Sequence, residues 1–133
     1  MKFIIIIIIT CIASSCSSIE TDAERLSKLK YMELADKIDC SNQTGTTLEK
    51  RICLNLEFQR VDSILNVKLD SLFEILLSGI AKSLKTEQEN WLIERRKKSE
   101  KSSDGFRGHV FGIVYLQSMI EITEERIKHL QSY

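Results

Sequence analysis

The stretch LEKRICLNLEFQRVDSILNVKLDSLFEILLSGIAKSLKTEQENWLIERRKK, residues 48–98, decides the fold. It holds no proline and one glycine, Gly79. Leu54, Phe58, Val61, Leu65, Leu69, Leu72, Leu76, Ile80, Leu84 and Trp91 follow one another in steps of three, four or seven. Such steps line side chains along one face of a helix. Charged residues such as Glu49, Arg60, Lys68, Lys82 and Glu94 fall mostly off that line. The expectation is an all-α fold, with one long helix and two shorter helices packed along it. Ser78-Gly79 is its weak point, because glycine costs about 1 kcal/mol relative to alanine inside a helix. A kink there is compatible with the pattern. A tight turn is disfavoured, since the apolar steps pass through in phase.

Outward toward the N-terminus, Thr46 and Glu49 have the spacing of a capping box. Residues 40–46 read as a loop, with Ser41, Asn42, Thr44 and Gly45 as turn formers. Asn42-Gln43-Thr44 fits a glycosylation pattern and is read as incidental. Before it, Thr21-Asp22 caps a shorter helix toward Lys37, with Ala23, Leu26, Leu34 and Ile38 as a partial apolar stripe. The alternative for this segment is a loose spacer. Outward toward the C-terminus, residues 99–108 read as a polar loop, followed by a helix from His109 to Gln131. Its stripe is Val110, Ile113, Val114, Gln117, Ile120, Glu124, Ile127 and Leu130. That helix spans about 35 Å at 1.5 Å per residue, half the length of the long one.

The first residues carry a different signal. Met1-Lys2 is a short positive start, and Phe3 to Thr10 is an apolar run with six consecutive isoleucines. The run is too short to span a bilayer, which takes roughly 20 apolar residues, and it has the length of a secretory signal core. Ala13-Ser14-Ser15-Cys16 then resembles a bacterial lipobox, in which the cysteine receives the lipid. Ala13 stands where leucine is usual. Cys11 is a weaker candidate, because Thr10 before it is bulky. An ordinary cleaved signal with an incidental cysteine is the alternative. The expected division is residues 1–15 as lipoprotein signal peptide, 16–39 as lipid anchor and N-terminal tether or helix, and 40–133 as helical domain. Several buried acyl chains, at about 0.8 kcal/mol per methylene, would hold such a protein on a membrane. It would be exported and anchored on the cell envelope, on the periplasmic face or the cell surface.

Export bears on Cys40 and Cys53. Outside the cytoplasm paired thiols oxidise, and these are the two cysteines left after the leader. Two free thiols are the alternative. A metal site is disfavoured, since two cysteines without a nearby histidine do not supply four ligands.

Composition narrows the function classes. Lys plus Arg number 19 and Asp plus Glu number 19, so the net charge is zero and a nucleic-acid partner is disfavoured. No phosphate-cradling glycine loop, nucleophile elbow or metal-ligand cluster occurs. The reading is therefore no enzyme, no cofactor and no metal.

Cys40 and Cys53, Asp62 with Leu65-Asn66, then Leu84, Gln88, Trp91 and Arg95, then Thr123, Arg126 and Leu130, stand in the order seen in the LprI-type lysozyme-inhibitor domain, which the chain resembles from about Cys40 to Leu130. The family is a small exported helical module, often on lipoproteins. The resemblance implies binding to a lysozyme and protection of peptidoglycan. It also carries one departure. A second cysteine pair, frequent in the family, is replaced here at the matching positions by Ser99 and Ser118, so that cross-link is missing and packing alone is expected to hold the loop.

Asp62, Asn66, Gln88, Trp91, Arg95, Thr123 and Arg126 are read as structural residues, with Trp91 in or near the core and Asp62–Asn66 bracing another helix through Arg126. Arg95-Arg96-Lys97-Lys98 with Lys101 complements a helix C-terminus. An inhibitor of a basic enzyme that works with paired carboxylates needs acidic surface, or a polar or basic group aimed at those carboxylates. Lys101, Ser103 and Arg107 in the 99–108 loop are the candidate lysozyme contact, and Glu121, Glu124 and Glu125 the nearest acidic patch. A structural or adaptor envelope lipoprotein without inhibitory activity is the alternative function, and an amphipathic surface-binding module the third.

Overall fold

Thr46 starts the organising helix as its spacing with Glu49 requires. In the computed structural model, which describes residues 20–42 and 45–133, the Glu49 amide donates to Thr46 Oγ1 at 3.3 Å. The Thr46 amide donates in turn to Glu49 Oε2 at 2.6 Å, so two orphan amides of the helix start are satisfied reciprocally. Cys16, expected as the lipid site, the expected leader and Gln43-Thr44 lie outside the described residues.

Among the described residues four α-helices form: α1 (Asp22–Ser27), α2 (Thr47–Ile75), α3 (Ser78–Ser102) and α4 (Gly108–His129). A 3-10 helix follows α1 at Lys30–Lys37, and another closes the chain at Leu130–Ser132. The all-α expectation holds. The single long helix does not: it is two helices, parted at Leu76 and Leu77. Both residues are extended, with ψ of 144° and 145°. Ser78 and Gly79 instead begin α3, and a Cβ on Gly79 would meet open space.

The chain doubles back so that both halves of the apolar line can pack on α4. Leu65, Leu69 and Leu72 of α2 pack with Leu84 of α3 and Leu130, and Phe73, Leu76, Trp91 and Ile127 flank them. A straight rod would leave the second half of that line facing water. Full burial of one leucine contributes about 1.5–3 kcal/mol, so a few such contacts outweigh two residues taken out of the helix. Ile80, counted in the line, is 47 % exposed and lies off the core face.

The N-terminal helix also forms in two pieces. Thr21 caps α1 with Glu24 as a capping box, and the helix stops at Lys28 before the 3-10 turn. Leu26 joins Phe58, Tyr115, Leu116 and Met119 in a second cluster. On α4 the buried line is Leu116, Met119, Thr123, Arg126 and Leu130. It is shifted from the expected stripe: Val110, Gln117 and Glu124 are exposed. The stripe was misplaced because Thr123 and Arg126 point inward to polar partners.

Cys40 and Cys53 are joined, with Cα atoms 5.5 Å apart. The bond fixes the loop before α2 to that helix's second turn. Among the described residues no helix is long and apolar enough to cross a membrane.

Candidate functional site

The two hydrophobic clusters are separated by a layer of charge. Its centre is Arg95, delivered by α3 and only 1 % exposed. Arg95 Nη1 donates to Asp62 Oδ1 at 2.6 Å and to Thr123 Oγ1 at 2.9 Å. Its Nη2 donates to Asp22 Oδ2 at 2.9 Å. One guanidinium thus ties α1, α2, α3 and α4 together. The planar fork of arginine suits this, since it can serve several acceptors at fixed angles. Thr123 passes its own proton to the Met119 carbonyl at 2.6 Å.

Asp22 is shared by three arginines. Besides Arg95, it accepts from Arg96 Nε at 2.7 Å and from Arg25 Nη2 at 3.2 Å. Burial pushes its carboxyl up, but the Arg95 hydrogen bond and the charges of Arg95 and Arg96 together outweigh that and hold it below the usual value. Asp22 gave no motif signal, because it pairs with residues more than seventy positions away.

The sequence expectation for Asp62 is half right. It braces another helix, yet its partner is Arg95 and not Arg126, and Asn66 is exposed. Arg126 serves the hairpin side of the layer. Its Nε donates to Gln88 Oε1 at 3.0 Å and its Nη1 to Glu87 Oε1. The Arg126 hydrogen bond is the main reason the Glu87 carboxyl sits below its usual range. Trp91 is half-buried between the two cations, with Arg95 4.8 Å and Arg126 5.7 Å from ring centres. Among the described residues Arg95 Nε and Arg126 Nη2 have no hydrogen-bond acceptor, and the indole face supplies part of the missing stabilisation. The motif residues Asp62, Gln88, Arg95, Thr123 and Arg126 are therefore one internal network, and none of them faces a partner.

The positions matching the family's second cysteine pair meet in space. Ser99 Oγ donates to Ser118 Oγ at 3.2 Å, and Ser118 Oγ to Ser102 Oγ at 3.4 Å. Hydroxyl contacts as well as packing thus join the end of α3 to α4.

The proposed contact loop is shorter than residues 99–108, because α3 runs on to Ser102. Ser103 is fully buried, and its hydroxyl donates back to the Ser99 and Glu100 carbonyls at 2.9 and 3.0 Å. It ends the helix and offers nothing outward, which removes it as a contact residue. Lys101 and Arg107 are exposed, with the half-exposed Phe106 between them. Gly105 and Gly108 turn the chain at φ of 82° and 60°, where a side chain is strained. Glu121, Glu124 and Glu125 are exposed on α4. Among the described residues, no cluster of histidine, cysteine and carboxylate could hold a metal ion.

Comparisons with curated proteins and with solved structures give no match. The sequence profile of the family described as "Lysozyme inhibitor LprI" matches residues 40–130, more than half of the chain. That span runs from the first disulfide cysteine to the last buried leucine and contains α2, α3 and α4 whole, so the chain belongs to the LprI family.

Proposed function

We propose that this chain is a non-enzymatic, lipid-anchored envelope protein that binds and inhibits a lysozyme, protecting peptidoglycan. The observation that carries the reading is the family match over residues 40–130. The lipid is attached at Cys16 after removal of residues 1–15, and residues from about 20 onward stand outside the membrane. The family motif is used inside the bundle, so the contact surface has to come from exposed groups. Lys101 and Arg107 flank the tight turn around Gly105 and can reach the carboxylates of a lysozyme cleft, with Phe106 as the apolar anchor. Ser103 has no part in it.

A muramidase assay with the purified chain tests this. Inhibition at micromolar protein supports it, and replacing Lys101 and Arg107 by alanine should weaken inhibition by about tenfold or more, as expected for lost charge-assisted contacts. Undiminished lysis by several lysozyme types would leave the adaptor reading in its place. Palmitate labelling that persists in Cys16→Ser would remove the anchor.

A further inference from the structure

A cleft of about 310 Å³ opens where α1, α2 and α4 meet, on the disulfide side of the Arg95 layer. Arg25, Arg51 and Arg96 line it, together with Tyr31, Tyr115 and Glu100. Arg51 is the unusual member. Its guanidinium stacks 4.1 Å from the Tyr31 ring centre, and its Nε is buried without a hydrogen-bond acceptor among the described residues. Among the described residues it makes no ion pair. Tyr31 is itself held in place, since Asn55 Nδ2 donates to its hydroxyl at 2.7 Å.

The fold gives up helix stability to admit this side chain. A Cβ on Gly112 of α4 would collide with the Arg51 guanidinium. Glycine inside a helix costs about 1 kcal/mol against alanine, and here it leaves room for an arginine that stacks on Tyr31 and is bonded to no carboxylate among the described residues.

Charge says what is missing. Of the three arginines lining the cleft, Arg25 and Arg96 are bonded to the buried Asp22, and among the described residues Arg51 is bonded to no carboxylate. The charge of Arg51 is thus left without an internal counter-ion, which suits the single negative charge of a carboxylate. Arginine binds a carboxylate through two parallel hydrogen bonds. From Leu29, Tyr31 and Arg51 a shallow, mostly apolar groove continues past Leu34 and Leu48, with Lys30, Glu33 and His109 along it. It can take the body of a ligand whose charged end sits at Arg51.

We propose that this cleft is a binding site for a monocarboxylate joined to an apolar body, with Arg51 as its principal anchor. A peptide chain end and a free branched acid share that chemistry. The site does not depend on lysozyme binding, and either reading can fail alone.

Calorimetric titration of the full chain in non-ionic micelles tests it, with N-acetyl-leucyl-leucine and 4-methylpentanoate as probes and their amides as controls. At least one acid should bind saturably at millimolar concentration or below, about tenfold or more tighter than its amide. The tighter acid identifies the source, chain end or free acid. Arg51→Gln should lose at least that factor with the fold intact by circular dichroism. If that variant does not fold, Arg51→Lys serves: it keeps the charge but not the fork, and should bind several-fold more weakly. Saturation by neither acid, equal binding of acid and amide, or wild-type affinity in a folded Arg51 variant overturns the proposal.

Discussion

The two halves of the bundle on either side of Arg95 are built differently. The disulfide half mixes Phe58, Tyr115, Met119 and Leu26 with arginines, tyrosines and Asn55. It is fastened by two capping boxes and the Cys40–Cys53 bond. The hairpin half is almost all leucine, and α3 starts at Leu77 with no side-chain cap. At its tip Ile75 and Leu77 are about three-quarters exposed. Specific polar partners fix the first half, while packing fixes the second. The Arg95 layer joins them and sets their register.

The largest effect that could break this comparison is at the layer itself. Arg95→Ala leaves Asp62 buried without a counter-charge and takes from Asp22 its one buried partner, a change that typically costs about 3–5 kcal/mol. Urea unfolding should show that loss and show both halves melting together. Replacing Cys40 and Cys53 by serine should cost about 3 kcal/mol, as expected for a loop of this length, with early amide exchange confined to α1 and the start of α2.

Introducing cysteine at Ser99 and Ser118 sharpens the contrast in the other direction. Their hydroxyls already touch, so the pair should oxidise and add about 2–3 kcal/mol, read as a raised Tm that reductant reverses. Acid gives a smaller effect. The Asp22 and Glu87 carboxyls are held below their ordinary values of 3.8 and 4.5. The stability they contribute is complete above those values and is lost as pH falls through the lower folded ones. Tm should therefore drop below about pH 4, and Asp22→Asn should flatten that part of the curve. Smallest of all is the tip: Leu77→Ser should change stability by less than about 0.5 kcal/mol, as for most exposed positions.

These contrasts explain what could be read beforehand. Capping at Thr46, the Cys40–Cys53 pair and the helical class were legible because each rests on neighbours in sequence. The reversal at Leu76–Leu77 was not. A uniform leucine stripe suits a straight rod and a doubled-back hairpin equally well, and neither residue is a turn former. What distinguishes them is the meeting of Asp62 with Arg95, a contact between positions far apart in the chain. The same holds at the candidate sites. Lys101 and Arg107 were legible as exposed charge, whereas Ser103 looked like a loop residue until α3 proved to extend past it. Arg51 gave no signal, since its meaning depends on Gly112 and Tyr31, which only folding brings beside it.

The claim beneath all of this is that α2 and α3 run back along each other, locked by Arg95. Spin labels at the exposed positions Arg60 and Lys97, with Cys11 and Cys16 replaced by serine, measure it directly by pulsed electron resonance. With Arg95 bonded to Asp62, each label two residues from that contact and helices rising 1.5 Å per residue, the label separation should be under about 30 Å. An unbroken helix at 1.5 Å per residue would place the two labels about 55 Å apart, and a distance near that value would contradict the account.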